Sequence, residues 1–582
     1  MLIPFQCPLV APVLEQHLAT HPNRELVSFV LNGVRFGFDS TANPDEVKTV
    51  FENLKSADEY IHPRTLQGRH IDEWVQGELL AKRYVPISTK AHPFLVISPL
   101  GTVPKRSYEE GKQKFRTITH ESKTDGVAPS LNETISTAEM TLVYMTVQDV
   151  VEIALQYGSD AEFCKYDVRS AFRNLGRSPT AQHCHVVRWR GQTLADTSLN
   201  FGSRASPRLF DSVAICFEFI LQQELDRVLG LGNTRVKHFL DDFIVVCKKG
   251  FSLRADEIVL KLFAECGIPT SSEKCEATLT EGEYLGIWLD LKNQTISLTP
   301  EKRQAYYRDC VSMGHKTQNT ATRLELLKLG GRLSFASTVL PDARTFTREL
   351  FRLAYTAKQD NHNVRLTARF REDMEAWAWF LKAGPPTRMF SKIEPDLPPD
   401  EEWPVGPADC EGPWLIGDAS GVDGAGFFGP NYHSYRQWNA EELIEQLASD
   451  GTDGTINTVY IETICLALAI FTHLEQPTTE GGTLTYYTDN QGVRDNWAQR
   501  RSKCSVVNNV LRKLMFALTR ANLNVFVRWR RRDADPYSIA ADRLSHYDSQ
   551  AASNLIPDAA TFVTPGSIPK TMVVPRQPQD FT

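Results

Sequence analysis

Apolar positions change period several times along the chain, and each change marks an element. Ser206-Pro207 reads as a helix start, with serine as N-cap and proline in the first turn. Leu209, Val213, Phe217, Ile220 and Leu221 follow at helical spacing until Gly230 stops the pattern. Phe163 to Tyr166 reads as a strand, and Val236 to Val246 as strand–turn–strand, with apolar arms enclosing Asp241 and Asp242. From Thr299-Pro300 to Lys382 the pattern is mainly helical. Further on, strand-like runs (Trp414 to Ile416, Leu484 to Tyr487, Leu523 to Val527) alternate with helical ones (Val459 to Leu474, Val506 to Arg520), which predicts a compact α/β domain.

Between Gly384 and Pro413 lie Pro385, Pro386, Pro395, Pro398, Pro399, Pro404, Pro407 and Pro413, interleaved with acidic residues. Proline supplies no backbone N–H and fixes φ, so this stretch reads as an inter-domain linker. From about Ser553 the chain is rich in Pro, Thr and Gln and reads as a poorly ordered tail. At 582 residues it is too long for one ordinary core, so several domains are expected. Hydrophobic content of 42% and charged content of 23% fit a globular protein.

No apolar run is long enough to span a bilayer, so no membrane partner is expected. The apolar start Met1-Leu2-Ile3-Pro4-Phe5 lacks a preceding basic region and carries an early proline, which argues against a signal peptide. The 11 cysteines form no C-x-x-C pair. They fit a reducing compartment, an intracellular location in cytoplasm or nucleus, and no zinc site. His183-Cys184-His185 would point to opposite faces of a strand and so would not share a metal. The net charge of −7 says little about nucleic acid, because a protein that binds it can confine its basic residues to a groove. Arg528-Trp529-Arg530-Arg531-Arg532 and Arg500-Arg501-Ser502-Lys503 are local basic segments.

Joining a nucleotide to a 3′-hydroxyl calls for two divalent cations about 4 Å apart, held by carboxylates on rigid backbone. Asp167 ends one strand, and Asp241 and Asp242 occupy the turn of a hairpin, where the first can reach a metal while the second supports. Phe172 lies five residues past Asp167, where an aromatic ring would exclude a ribose 2′-hydroxyl. Gly202 would let backbone approach a base or template, and the helix start at Ser206-Pro207 would lie beside the nucleotide. Lys105 and the run Lys114-Phe115-Arg116 offer cations for triphosphate oxygens. Taken alone, each of these reads more readily as a solvated hairpin tip, a core aromatic or a surface charge.

Taken in order, the set resembles the palm and fingers of reverse transcriptases. Phe239-Leu240-Asp241-Asp242 is similar to the aromatic-x-Asp-Asp signature, and Asp167 to the first motif's metal ligand. Phe172 is similar to the steric gate, and Gly202, Ser206 and Pro207 to the template-and-nucleotide motif. Lys274 follows in the place of the lysine that would protonate pyrophosphate, and Tyr284, Leu285 and Gly286 in that of the primer grip. One departure is Asn200-Phe201, where retroviral enzymes carry glutamine at the second position and several retrotransposon lineages have proline at the first. The resemblance covers roughly 93–290.

Past the proline-rich stretch, Asp418 ends a strand, and Glu462 lies on a helix with Ile461, Ile464, Leu468 and Phe471. Asp489 ends another strand, and Asp542 sits in Ala541-Asp542-Arg543-Leu544-Ser545. In this order the four acids resemble the metal-binding carboxylates of ribonuclease H of the retroelement type. No histidine occurs between Asp489 and Asp542, where many relatives keep a mobile one, so Arg530, Arg531 or Arg532 would contact the substrate backbone instead.

The resemblance implies an α+β and α/β multidomain chain: a right-hand polymerase (fingers, palm, helical thumb or connection) and then a ribonuclease H-like α/β domain. Its divisions are an N-terminal helical extension (1–85), fingers and palm (86–295), thumb or connection (296–384), linker (385–410), ribonuclease H-like domain (411–548) and tail (549–582). Magnesium is implied as cofactor, two ions per site, with manganese as substitute. The implied partners are an RNA template, a DNA primer, RNA–DNA hybrid and deoxynucleoside triphosphates. The stretch from His21-Pro22-Asn23 through Gly33 to Phe38, and Gly331 to Ser337, look like DIRS-type retrotransposons, which implies a separately encoded tyrosine recombinase and a capsid-like protein. The competing readings are a decayed or domesticated copy that binds nucleic acid without catalysis, and a ribonuclease H with a dead polymerase.

Overall fold

The computed structural model describes residues 5, 7–39, 65–88, 95–109, 112–123, 129–383, 387–393, 401–442, 457–476, 482–559 and 561–570. The chain forms two compact units, Met1–Leu285 with Asp290–Asn293, and Gly286–Leu289 with Gln294–Thr582.

The N-terminal unit begins with helices α1 (Ala11–His17), α2 (Arg24–Phe36) and α3 (Leu66–Leu80). Asn23 caps α2 by accepting from the Leu26 amide at 2.9 Å. Three strands, β1 (Tyr84–Pro86), β2 (Leu100–Glu109) and β3 (Lys112–Thr119), precede α4 (Val147–Tyr157). Then come β4 (Glu162–Asp167), β5 (Val186–Trp189) and β6 (Gln192–Asp196). Helix α5 (Ala205–Leu229) leads into the hairpin β7 (Thr234–Phe239) and β8 (Asp242–Cys247). The unit continues with α6 (Ser252–Cys266) and β9 (Glu276–Leu279).

An antiparallel sheet in the order β7-β8-β4-β9 carries the site-bearing strands. Its apolar face packs with Leu209, Val213, Phe217, Ile220 and Leu221 of α5 and with Val259 and Phe263 of α6 in one core. The predicted apolar stripe is thus the buried face of α5, and Gly230 (φ +88°) ends that helix.

The start of α5 differs from expectation. Arg204, not Ser206, is the N-cap, and Ser206 lies buried inside the first turn. Asn132 supplies the polar partner instead: it accepts from the Arg204 amide at 2.7 Å and donates to the Gly202 carbonyl at 2.7 Å. The stretch at His183-Cys184 is a short 3-10 turn rather than a strand. His185 is buried against Glu121, at 2.7 Å.

In the C-terminal unit β10 (Thr295–Leu298) precedes helices α7 (Pro300–Gly314), α8 (Arg323–Ala336), α9 (Arg348–Ala354) and α10 (Ala368–Ala383), and β11 (Thr387–Met389) pairs back onto β10. The α/β layer follows with β12 (Trp414–Ala419), β13 (Gly424–Gly429), β14 (Tyr432–Gln437) and α11 (Thr458–Leu474). It continues with β15 (Gly482–Thr488), α12 (Gln491–Ala498), α13 (Ser505–Arg520) and β16 (Leu523–Trp529). Helices α14 (Pro536–Ser545) and α15 (Ser549–Leu555) and strand β17 (Thr561–Phe562) complete it. The sheet order is β16-β15-β12-β13-β14-β17, with β12, β15 and β16 parallel. Helix α11 is apolar on all sides, and its residues from Tyr460 to Thr472 are buried, as befits a core helix.

Two boundaries move from those expected. The proline-rich stretch does not divide compact units, because residues on either side of it share a core. Phe380 stacks on Phe516 of α13 and Phe346 meets it tilted, at ring separations of 5.2 Å each, and Trp379 meets Phe516 at 5.1 Å. Buried Arg512 of α13 pairs with buried Asp373 of α10. The segment 549–570 is also folded rather than a loose tail. Phe562 extends the sheet beside His433, and the Gly566 amide donates to Thr472 Oγ1 at 2.8 Å. Residues 571–582 lie outside the described residues.

Candidate active sites

The first site sits where β4, β7 and β8 end. Pairing puts Asp167 directly opposite Asp242, and Leu240-Asp241 forms the two-residue turn between β7 and β8. Leu240 takes φ +52°, the left-handed conformation that a tight hairpin needs. Adjacent aspartates therefore need not alternate faces: Asp241 belongs to the turn and Asp242 to the strand. The Val168 amide donates to the Asp241 carbonyl at 3.0 Å, tying the tip to β4.

Asp167 is held from a third side. Ser271 Oγ donates to its Oδ1 at 2.7 Å and Lys274 Nζ to its Oδ2 at 2.8 Å. The hydrogen bond to Asp167 raises the Lys274 ammonium above its ordinary value, so this lysine stays charged. Burial, aided by Asp241 and Asp167, pushes the Asp242 carboxyl up to about 6, and burial raises Asp241 as well. These three aspartates nonetheless do not close into a group with all ligand atoms within 4.8 Å; among the described residues that spacing occurs elsewhere.

The other expected residues are distributed as follows. Phe172 is buried against Phe201, at 5.0 Å between rings, and against Phe210 at 5.7 Å. The Arg116 guanidinium lies 5.2 Å from the Phe201 ring centre. The Lys105 side chain lies outside the described residues. Gly202 (φ +124°) permits a close approach to the chain itself, since a Cβ there would sit 1.8 Å from the Thr119 carbonyl oxygen. Pro207 falls in the first turn of α5 with Ser206. The Tyr284 hydroxyl donates to the Asp242 carbonyl at 3.0 Å, so this buried tyrosine braces the hairpin from beneath. Leu285 (φ +47°) is the last residue of the first stretch of the N-terminal unit, and Gly286 opens the other unit, where its carbonyl accepts from Lys302 at 2.8 Å.

Asn200 has a partner on each end of its amide. It accepts from Arg177 Nη2 at 2.9 Å and donates to Glu121 Oε1 at 2.7 Å, and all three residues are buried. Glu121 also meets His185, and although burial opposes ionisation, His185 and Arg177 hold its carboxyl down at about 2. The turn that proline would stiffen by its ring is here fixed by a charged network. Reading Asn200 as a departure missed this because Glu121 and Arg177 are remote in sequence.

The second site is in the C-terminal unit. Asp418 is on β12, Asp489 follows β15 by one residue, and Glu462 projects from α11; their ligand atoms lie within 4.8 Å of one another. Glu462 is 3% exposed; its Oε1 accepts from the Ala419 amide at 3.3 Å, while its Oε2 is buried with no hydrogen-bond partner among the described residues. Burial, then Asp418 and Asp489, raise its carboxyl well above the usual range. Burial and Asp489 push Asp418 up to about 6. A buried oxygen without a donor, facing two further carboxylates, is what a hard divalent cation would complete.

Asp542 lies on α14, outside that group, at 3.3 Å from Arg532 Nη1. Helix α14 comes this close because Gly426 lacks a side chain: a Cβ there would meet Leu544 at 2.4 Å. The same approach lets Ser545 Oγ donate to Asp418 Oδ2 at 3.0 Å, and Cys465 Sγ reaches the Asp418 carbonyl at 3.4 Å. Ser545, Cys465 and Gly426 are not among the residues the sequence reading singles out, because their contacts with this site come from chain distant in sequence. Arg530 pairs with Asp535, Arg531 with Asp533, and Arg532 turns inward to Asp418, Asp489 and Asp542.

No protein-family model and no curated protein matches the chain. Among solved structures, the chain is similar to reverse transcriptases in complex with nucleic acid. The foamy viral protease-reverse transcriptase dRH in complex with double-stranded DNA is 15% identical, over 90% of this chain and 83% of that chain, at a TM-score of 0.43. The foamy viral protease-reverse transcriptase in complex with RNA/DNA hybrid is 13% identical, over 89% and 62%, at a TM-score of 0.44.

Proposed function

We propose that the chain is an RNA-directed DNA polymerase that copies a retrotransposon RNA and degrades the RNA strand of the resulting hybrid. The observation that carries this reading is the pairing of two carboxylate sets, Asp167 with Asp241 and Asp242, and Asp418 with Glu462 and Asp489, one in each compact unit. Hard oxygen donors without sulfur or imidazole suit magnesium, with manganese as substitute. Such ions would activate a 3′-hydroxyl or a water and neutralise phosphate charge.

The chain's own residues would do the rest. Phe172, fixed by Phe201 and Phe210, would exclude a ribose 2′-hydroxyl and so favour deoxynucleotides. Arg116 and Lys105 would meet the triphosphate. Lys274, charged and 61% exposed, would give a proton to pyrophosphate. Tyr284 would keep the hairpin at fixed height under a primer end. Template, primer and hybrid would be held largely through phosphates. The Gly331 to Ser337 pattern suggests the DIRS-type lineage, acting inside the cell beside a separately encoded tyrosine recombinase.

The test is primer extension on an RNA template with deoxynucleotides and magnesium, together with cleavage of a labelled RNA–DNA hybrid. Both are expected, and Asp241→Asn should abolish extension while sparing cleavage. Undiminished extension by that variant overturns the polymerase assignment. One observation favours a second reading, a ribonuclease H with a silent polymerase: Asp167 is engaged by Lys274 and Ser271, and its cluster is open. Cleavage without any extension in magnesium or manganese would select it.

A further inference from the structure

Arg532 spends each of its three guanidinium nitrogens on a different carboxylate of the second site. Nε lies 2.9 Å from Asp489 Oδ2, Nη1 3.3 Å from Asp542 Oδ1 and Nη2 3.5 Å from Asp418 Oδ1. This is not the usual fork, in which two nitrogens meet one carboxylate. It is one cation bridging three anions, two of which also belong to the Asp418–Glu462–Asp489 group. Glu462, the deepest of the set, is not among its partners and keeps a bare oxygen.

We propose that Arg532 is a built-in counter-ion that occupies the mouth of this site and competes with a divalent cation for the oxygens of Asp418 and Asp489. The inference rests on the reading of Asp418, Glu462 and Asp489 as metal ligands. Like charges this close repel strongly where water is scarce, so an empty cluster would protonate or splay. A single guanidinium set against Asp489, Asp542 and Asp418 relieves the repulsion. A divalent ion brings more charge to the same oxygens and reaches Glu462 as well, so it would displace the arginine.

The loop is built so that the side chain can leave alone. The Arg530 amide donates to the Thr488 carbonyl at 2.8 Å, and Asp535 caps α14 through the Ser538 amide at 2.9 Å. Arg530–Asp535 and Arg531–Asp533 pairs hold the loop to itself. The Arg532 side chain is 58% exposed, so its withdrawal needs no unfolding.

Ferrous ion tests this directly, because iron bound at carboxylates, with ascorbate and peroxide, cuts the backbone beside it. The full chain is titrated with ferrous ion, and fragments are sized from cuts near Asp418 and Asp489 and from cuts near Asp241. Arg532→Gln should lower the midpoint for the first set about three- to tenfold, the competition that one to three exposed ion pairs supply. Cuts near Asp241 should not move. Arg532→Lys, which offers one ammonium in place of three nitrogens, should fall between, and guards against a folding defect in the glutamine variant. Arg531→Gln, with the same change in net charge, should leave every midpoint in place. An unchanged or raised midpoint in Arg532→Gln, or equal tightening in Arg531→Gln, overturns the proposal. Absence of cuts near Asp418 and Asp489 in all variants, at ferrous concentrations that cut near Asp241, instead overturns the metal-ligand reading beneath it.

Discussion

In the N-terminal unit Asp167 is tethered by Lys274 and Ser271 and lies opposite Asp242 in the sheet, but the three aspartates do not gather within 4.8 Å. In the C-terminal unit three carboxylates lie within 4.8 Å, one of them on a helix buried over thirteen successive residues. Both sets include an aspartate pushed up to about 6, so burial alone does not separate them. The difference is where the third acid comes from. In the N-terminal unit all three hang from strands and a turn of one sheet, whereas a core helix drives Glu462 against Asp418. A cluster assembled by a core helix cannot relax its repulsion by moving apart, and it needs a cation more.

The sharpest way to break the comparison is to neutralise the helix-borne acid. Glu462→Gln should reduce hybrid cleavage by more than about a hundredfold, beyond the usual cost of losing a group behind a metal ligand. Primer extension should change less than about twofold, since the two carboxylate sets share no residue and groups without shared partners act additively. An equal loss of both activities would show that the two sets are not independent. Lys274→Gln comes next: extension should fall about a hundredfold or more if the lysine is a proton donor. Its exposed ion pair predicts a stability change below about 1 kcal/mol. A large stability loss with extension intact would make it a tether alone. In hydrogen exchange, magnesium should slow Trp414–Ala419 and Thr458–Leu474 more than Glu162–Asp167 and Asp242–Cys247, because linkage stabilises the closed set more. Equal protection would erase the distinction.

The smallest effects are in pH. The Asp418 carboxyl is raised from 3.8 to about 6, so the folded metal-free chain holds a proton that the unfolded chain releases. That contribution is full below about 3.8 and is lost as pH rises through about 6. His238, which burial would lower, is raised to about 9 by hydrogen bonds with Asp211 and Glu218. Its stabilisation is full below 6.5 and lost as pH rises through about 9. Denaturant midpoints of Asp418→Asn should flatten the first slope, and those of His238→Gln the second. Unchanged slopes would assign them to other groups.

Elements with a strong period were legible in the sequence: the α5 stripe, the hairpin around Asp241 and the alternation after Trp414. The acids were legible as an order of motifs, and the C-terminal unit gathers three of its four. The rest depended on contacts distant in sequence. Asn200 reads as a flaw until Glu121 and Arg177 come beside it. Gly202 suggested room for a base, yet the occupant is the chain's own Thr119. Prolines between 385 and 410 suggested an inter-domain linker because proline content reports local backbone and says nothing of which surfaces meet across it. Arg532 stood in a basic run whose three members point to different partners.

The pairing of α10 with α13 bears on how such chains can be taken apart and recombined. A fragment cut at the proline-rich stretch would carry Arg512 away from Asp373 and bare the face of Phe516 that Phe346 and Trp379 cover. It would bring a stranded charge and an open aromatic patch to whatever it was joined to. A transplantable C-terminal module would therefore have to include the helices from Pro300 onward, and exchange of parts between related chains would be favoured near residue 290 rather than near 400.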